Sequence, residues 1–402
     1  MERSSLVDYT SNLWKLYAFR FISSLIPAYV IERLYWEERG MTIQKVVFTE
    51  IIYALTIVLL EVPTGIMADK WGRKRMLVLS AILGCSEFLI LLFATEFWHF
   101  ATVVFLAGIS RASSSGSENA LLYDTLALQG KAASFEKQLG RLNACDFGSA
   151  MLAALCGSLL ASKFNLELNY WISLGSALIA LLLSISLIEP PEAAGDASDE
   201  DEDEDDVPFK RYVTESLRFF RVNPGVRLIV LSGMITGAAM GYIYEFWQLY
   251  ANRLEVPIIF FGVLSAAIML LQLPGNLLAH LLIRRFSYRT LIFIVITVIA
   301  IGFTYVAASM DYIGLAAMLV ICLFSGVMEP IAAGYLHHRI DSSMRATIDS
   351  FRSLGENALS IIVGLGFGYF STQYDVFGSY GFIAFVCFAF LIWFIGASRK
   401  FV

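Results

Sequence analysis

Long apolar runs follow one another along the chain, separated by short polar stretches. Each run is long enough to cross a hydrocarbon core of roughly 30 Å as an α-helix. The pattern predicts spans at roughly 14–36, 43–66, 76–96, 98–124, 139–163 and 170–189, then 226–248, 258–281, 290–309, 312–336, 347–371 and 378–397. About twelve spans are expected, in two sets of six, making an all-α polytopic membrane protein.

The two sets repeat. Leu59-Leu-Glu-Val-Pro63 recurs as Leu270-Leu-Gln-Leu-Pro274, an offset of 211 positions. The same offset carries Trp36 onto Trp247, Arg73 onto Arg284, Arg141 onto Arg352 and Gly157 onto Gly368. A register held through several spans points to duplication of a six-helix unit in parallel orientation. The expected domains are a bundle over residues 1–189, a connecting segment over 190–224 and a second, pseudo-symmetric bundle over 225–402.

The connecting segment carries eight consecutive acids, Asp199 to Asp206. Adjacent like charges repel and bury nothing, so a disordered linker is expected there. Phe209, Tyr212, Val213, Leu217 and Phe220 then mark one stripe of a helix lying on the membrane surface. Asn223 and Pro224 read as the cap and first-turn proline of the next span.

Composition agrees: 57% of residues are hydrophobic and 16% charged, with a mean hydropathy of +0.67. The net charge of −6 comes mostly from the acidic run. The first residues lack a basic start and a small-residue cleavage site, so the first span is expected to be retained. Five cysteines without C-x-x-C spacing read as packing residues. No nucleophile elbow, phosphate loop, H-E-x-x-H or repeated Cys/His spacing occurs, so neither an enzyme, a cofactor, a metal site nor a nucleic-acid partner is expected.

Between the second and third spans lies Gly65-Ile-Met-Ala-Asp-Lys-Trp-Gly-Arg-Lys-Arg75. Gly72 offers the positive φ that a tight reversal needs. Lys70, Arg73, Lys74 and Arg75 should hold the turn on the cytoplasmic side, and the loops on that side also carry Lys131, Lys137, Arg284, Arg285 and Arg289. Both termini are then cytoplasmic. At Gly65, Asp69, Lys70, Gly72, Arg73 and Lys74 the stretch resembles the signature loop G-x-x-x-D-(R/K)-x-G-R-(R/K) of the Major Facilitator Superfamily. Arg345-Ala-Thr347 and Ala120-Leu-Leu-Tyr-Asp124 also look like stretches of bacterial facilitator permeases. The resemblance implies two six-helix bundles around a central cavity, alternating access, and spans 1, 4, 7 and 10 on the substrate path. It also implies a conformational latch at the signature loop, with Asp69 and Arg73 holding the outward-open state, and a bacterial cytoplasmic-membrane setting. Two features depart from the drug/proton antiporters: Gly116 follows Arg111 one residue later than in R-x-x-x-G, and span 5 lacks G-P-x-x-G-G.

Ionisable residues inside spans each cost a few kcal/mol or more unless paired or hydrated. They are Arg20 in span 1, Glu87 in span 3, Arg111, Glu118 and Asp124 in span 4, and Asp146 in span 5. The second half adds Glu245, Glu329 and Glu356. Arg111 and Glu118 are two turns apart on one face, and Arg20 reaches a depth similar to Glu118, so an ion pair is expected if spans 1 and 4 are neighbours. Asp124 and Asp146 read as ties near span ends. Glu118 and Glu87 are the candidate proton carriers; Arg20, Arg111, Glu245, Trp247, Glu329 and Glu356 are the candidate cavity residues. The aromatics near the outer ends of spans 1 and 7, among them Tyr29, Tyr35, Trp36, Tyr244, Trp247 and Tyr250, fit either substrate stacking or a membrane-interface belt. The functional expectation is a monomeric, proton-coupled exporter of a small organic solute. The alternatives are an importer or uniporter of an anionic metabolite that uses Arg20 and Arg111, and a non-transporting receptor or scaffold.

Overall fold

A computed structural model describes residues 10–190, 222–337 and 342–398, and every regular element among them is helical. The expected acidic linker, the surface helix over 209–221 and the side chains of Asp69 and Arg345 lie outside the described residues. The described chain divides into two compact units, residues 10–41, 49–190 and 257–263 in one and 42–48, 222–256 and 264–398 in the other.

The first unit is built on α1 (Thr10–Ser23), the short α2 (Glu32–Glu38), most of α3 (Ile43–Trp71), α4 (Arg73–Phe93), α5 (Phe97–Leu128), α6 (Phe135–Lys163) and α7 (Glu167–Ser186). Leu16, Phe19, Leu77, Leu121, Leu142 and Leu187 close its core between α1, α4, α5, α6 and the end of α7. Span 1 is not the continuous helix expected from its apolar run. It ends at Ser23, resumes as a 3₁₀ turn over Pro27–Ile31 and only then enters α2. Pro27 lacks an N–H and holds Ile26 extended at φ −117°, ψ 91°, which forbids an unbroken helix here. Non-helical backbone at membrane depth stands only where the protein supplies partners. Here Ser149 Oγ donates to the Phe21 carbonyl at 2.5 Å, and Ala28 N–H donates to Ser173 Oγ at 3.1 Å. Asn169 Nδ2 donates to the carbonyls of Pro27 and Gly157 at 3.3 and 2.9 Å. Gly157 lets α6 come this close, because a Cβ there would collide with the Pro27 carbonyl.

Gly72 separates α3 from α4 at φ 97°, ψ 144°, a region that side chains other than hydrogen rarely enter. The reversal expected from the sequence forms at this residue. The opened N-terminus of α4 is capped from a distance: Glu189 accepts hydrogen bonds from the backbone N–H groups of Arg73 and Lys74, each at 2.8 Å. A carboxylate at that end also offsets the positive pole of the helix.

The second unit holds α8 (Pro224–Arg253), most of α9 (Phe261–Leu270), α10 (Gln272–Arg285), α11 (Tyr288–Ala308), α12 (Tyr312–Ser325), α13 (Met328–His337) and α14 (Ser342–Ser398). Spans 8 and 10 are each broken, at Leu271 and at Gly326–Val327, where one helix was expected. A straight helix of 57 residues would run about 85 Å, far beyond one bilayer. The chain instead departs from helical geometry at Tyr374 and at Asp375, which takes φ 53°, ψ −158°. Arg253 holds that corner through bonds to both Asp375 oxygens, at 2.5 and 3.3 Å, and Ser379 Oγ donates to the Asp375 carbonyl at 3.2 Å. Spans 11 and 12 thus lie in α14 as two helices meeting at a corner.

Nine stretches among the described residues are long and apolar enough to cross a membrane. The last of them contains the corner at Asp375, and the interrupted span 1 and the serine- and charge-bearing α5 fall outside the nine. The repeat has lost its hinge: Ile283, the counterpart of Gly72, lies inside α10, and the reversal moves to Phe286 and Ser287. There Ser287 Oγ caps Thr290 N–H at 3.2 Å.

Gly72→Ala is expected to destabilise the protein by about 1–3 kcal/mol, because a Cβ would also sit 2.9 Å from the Glu189 carboxylate. Gly65→Ala, in a helix with nothing within 4 Å of the new carbon, should leave thermal unfolding in detergent unchanged or slightly raised. Equal midpoints for the two variants would refute the assignment of strain to Gly72.

Candidate functional site

Within the first unit, α1 and α5 bring Arg20 and Glu118 together at 2.7 Å. α6 adds Asp146, whose carboxylate stands 3.5 Å from Arg20 Nε and accepts a hydrogen bond from Ser24. One guanidinium is therefore shared between two carboxylates. The Glu118 side chain is 7% exposed, and its second oxygen, Oε1, has no hydrogen-bond partner among the described residues. Asp146 was expected to be a tie near a span end. It instead lies on a cavity wall and shares Arg20, because α6 starts at Phe135 and carries residue 146 about 16 Å into the helix.

These groups line a cavity of about 580 Å³ within the unit. Arg111 and Glu87 reach the same cavity from α5 and α4, and Tyr29 and Tyr53 from the 3₁₀ turn and α3. Ser23, Ser24, Ser80, Ser110 and Ser114 supply a hydroxyl wall, and Phe19, Ile26 and Phe88 an apolar one. The break in span 1 puts Ser23, Ser24 and Ile26 on this lining. Tyr29 hydrogen-bonds the Glu87 carboxylate. Helix α4 thus turns Glu87 inward, toward polar company, and away from lipid.

The second-unit candidates gather differently. Glu329 on α13 pairs with Arg352 on α14 at 2.5 Å, and its side chain is 65% exposed. Glu356, one turn beyond Arg352, packs its carboxylate on Gly237 of α8, where a Cβ would collide with it. Glu245 is half-buried on α8 and Trp247 is buried in the core. Glu329 lies 211 positions after Glu118, the register of the internal repeat. The sequence reading missed that correspondence although the offset contained it.

Most of the outer-end aromatics pack inside their own units. Tyr35 stacks on Tyr170 at 3.8 Å and Trp36 meets Phe100 at a tilt at 4.9 Å, with Arg33 and Arg39 over the Trp36 and Tyr35 rings at 4.6 and 4.2 Å. In the second unit Tyr250 meets Tyr380 edge-on at 5.7 Å. Burial of these rings inside their own units overturns the interface-belt reading for them; Tyr29 reaches the cavity and Tyr244 is exposed.

At the signature loop Arg73 pairs with Asp124 and donates to the Ala120 carbonyl at 3.2 Å. Glu189 completes that network and was not singled out from the sequence. The excess of bases around Gly72 was the signal that an acid had to come from elsewhere. Lys70 and Lys74 flank the same turn, and Gly65 lies about two helical turns before it.

A helical chain of broken and intact spans, with charge paired inside a cavity, is a multi-pass membrane transporter in class. The Major Facilitator Superfamily model matches residues 14–347, and the chain belongs to that superfamily. Solved structures agree. The nucleoside transporter NupG is 13% identical with a TM-score of 0.76, over 97% of this chain and 99% of that one. A D-xylose-proton symporter is 11% identical with a TM-score of 0.70, over 96% and 97%. A bacterial homolog of the human lysosomal transporter Spinster is 15% identical with a TM-score of 0.67, over 98% and 97%. At these identities the likeness establishes the fold alone. No curated protein matches the chain.

Removing one partner of a buried ion pair typically costs about 3–5 kcal/mol. Arg20→Ala should approach that loss, because it strands both Glu118 and Asp146. Glu118→Gln should cost much less, since Arg20 keeps Asp146 and the amide oxygen still accepts. Thermal unfolding in detergent checks the order, and a larger loss in Glu118→Gln would contradict the shared-arginine geometry.

Proposed function

We propose that this protein is a proton-coupled secondary transporter that exports a small polar organic solute by alternating access. The observation that carries the reading is Arg20 held between Glu118 and Asp146 on the cavity wall. Two carboxylates in contact with one guanidinium leave one negative charge in excess, and a single proton balances it. Glu118 is the carrier, since it is buried and one of its oxygens is open to a proton. Protonation there releases Arg20 toward Asp146 and changes the charge that the cavity presents to solute. Glu87 is a second carboxylate on the same lining. The two units serve as the two bundles of the cycle, with both termini cytoplasmic as the basic loops suggest. The Arg73–Asp124–Glu189 network acts as the latch that breaks and reforms once per cycle. Neighbours in fold named as nucleoside and D-xylose transporters handle solutes of a size that a cavity of about 580 Å³ accommodates.

One observation favours a second reading, uptake of an anionic metabolite. Arg111 lines the cavity and makes no ion pair among the described residues, so it is available to a solute anion.

Everted vesicles with an acid interior, followed with a pH dye, separate the two. Under export by antiport, addition of the transported solute dissipates the gradient only when the protein is present. Glu118→Gln then abolishes the proton movement while leaving solute exchange down its own gradient. If Glu118→Gln vesicles still couple solute to protons, the carrier assignment is wrong. Saturable uptake of anions that is insensitive to pH would favour the second reading.

A further inference from the structure

Two ionisable groups on the cavity, Glu87 and Arg111, make no ion pair among the described residues. Glu87 contacts the Tyr29 hydroxyl but no cation, and a further acid, Glu32, acts on it as well. Arg111 influences Glu118 through space but contacts no acid. Both line the same cavity. Uncompensated charges at membrane depth are costly and mark solute paths, and here the two are of opposite sign.

Arg111 acts on Glu118 and not on Glu87, so the two do not neutralise each other. α4 and α5 run antiparallel through a short turn, and Ser80 meets Ser110 at 2.9 Å, which sets the register of the pair. In that register Glu87 is level with Val103, eight residues from Arg111. At the helical rise this is about 12 Å between the two backbones along the helix axis. Each side chain leans toward the N-terminus of its helix, that is toward the other, and an ion pair takes about 2.8 Å at each end, so the solute bridges at most about 6 Å. The serines Ser80, Ser110 and Ser114 line the cavity too and offer hydroxyls to a polar solute.

We propose that the solute is amphoteric, with an ammonium-type group seated on Glu87 and Tyr29 and a carboxylate-type group seated on Arg111, separated by at most about 6 Å. This rests on the reading that the cavity is the solute path, and it leaves the proton on the Arg20, Glu118 and Asp146 cluster. Extended δ-aminovalerate and unblocked dipeptides have this spacing; glycine is too short.

The test is binding to the purified full-length protein in nanodiscs, by calorimetry, with a ladder of ω-amino acids. Glycine, γ-aminobutyrate, δ-aminovalerate and ε-aminocaproate vary the spacing, and pentylamine and valerate each carry one charge. Affinity is expected to peak near δ-aminovalerate, at least tenfold above either single-charge probe. Arg111→Ala should reduce δ-aminovalerate to the affinity of pentylamine without weakening pentylamine itself. Glu87→Gln should reduce it to the affinity of valerate. These paired readouts separate loss of a contact from loss of fold, since each variant keeps one class of probe. An affinity independent of length, single-charge probes binding as tightly, or unchanged selectivity in both variants would overturn the proposal. Proton coupling is read separately in vesicles. A peaked ladder with no proton movement sinks the coupling and leaves the solute class standing, and the reverse result sinks the class alone.

Discussion

Charge at membrane depth must be neutralised within the bundle that carries it, and the architecture of the first unit follows from that demand. Arg20 lies within span 1, and α5 and α6 each bring a carboxylate to it. That requirement fixes three elements around one guanidinium and holds open a polar cavity beside them. Packing between apolar faces alone would not do this, because lipid tails compete equally well for such faces.

The same economy governs the backbone. Pro27 breaks span 1 at the cavity, and the carbonyls and N–H groups it frees are met by Ser149, Ser173 and Asn169. At the opposite end of α4, Gly72 frees two N–H groups and Glu189 accepts both. In the second unit Arg253 braces the corner at Asp375. Each of these three departures from helical geometry lies beside a polar side chain placed to answer it. A break with such partners is stable in one arrangement and costly to displace.

Hydropathy and charge were enough to reveal the fold class, the paired sets of spans and the turn at Gly72. Each depends on a property that one-dimensional order preserves: run length, register, or a residue with unique backbone freedom. The Arg20–Glu118 contact was also legible, since counting depth along two spans suffices to place two charges level. The breaks at Leu25–Ile26, Leu271 and Gly326 were not, because an apolar run reads the same whether its helix is whole or divided. Asp146 was misjudged through an error of one turn in where α6 begins, which moved it from cavity to span end. Glu189 was the final residue of the sixth predicted span, and its role emerges only when the chain leaving α7 returns beside α4.

The repeat sets Glu118 beside a second-unit counterpart, Glu329. Glu118 and Glu329 occupy equivalent positions, and each is paired with an arginine. The second unit also gathers two acids near one base, for Arg352 acts on Glu356 as well as on Glu329. Environment distinguishes them. Glu329 is 65% exposed, whereas Glu118 is 7% exposed and leans on Arg20. A buried carboxylate carries the larger desolvation cost, so neutralising it changes more than neutralising an exposed one. Equivalent positions in the repeat therefore hold acids in unequal surroundings, and burial sets them apart.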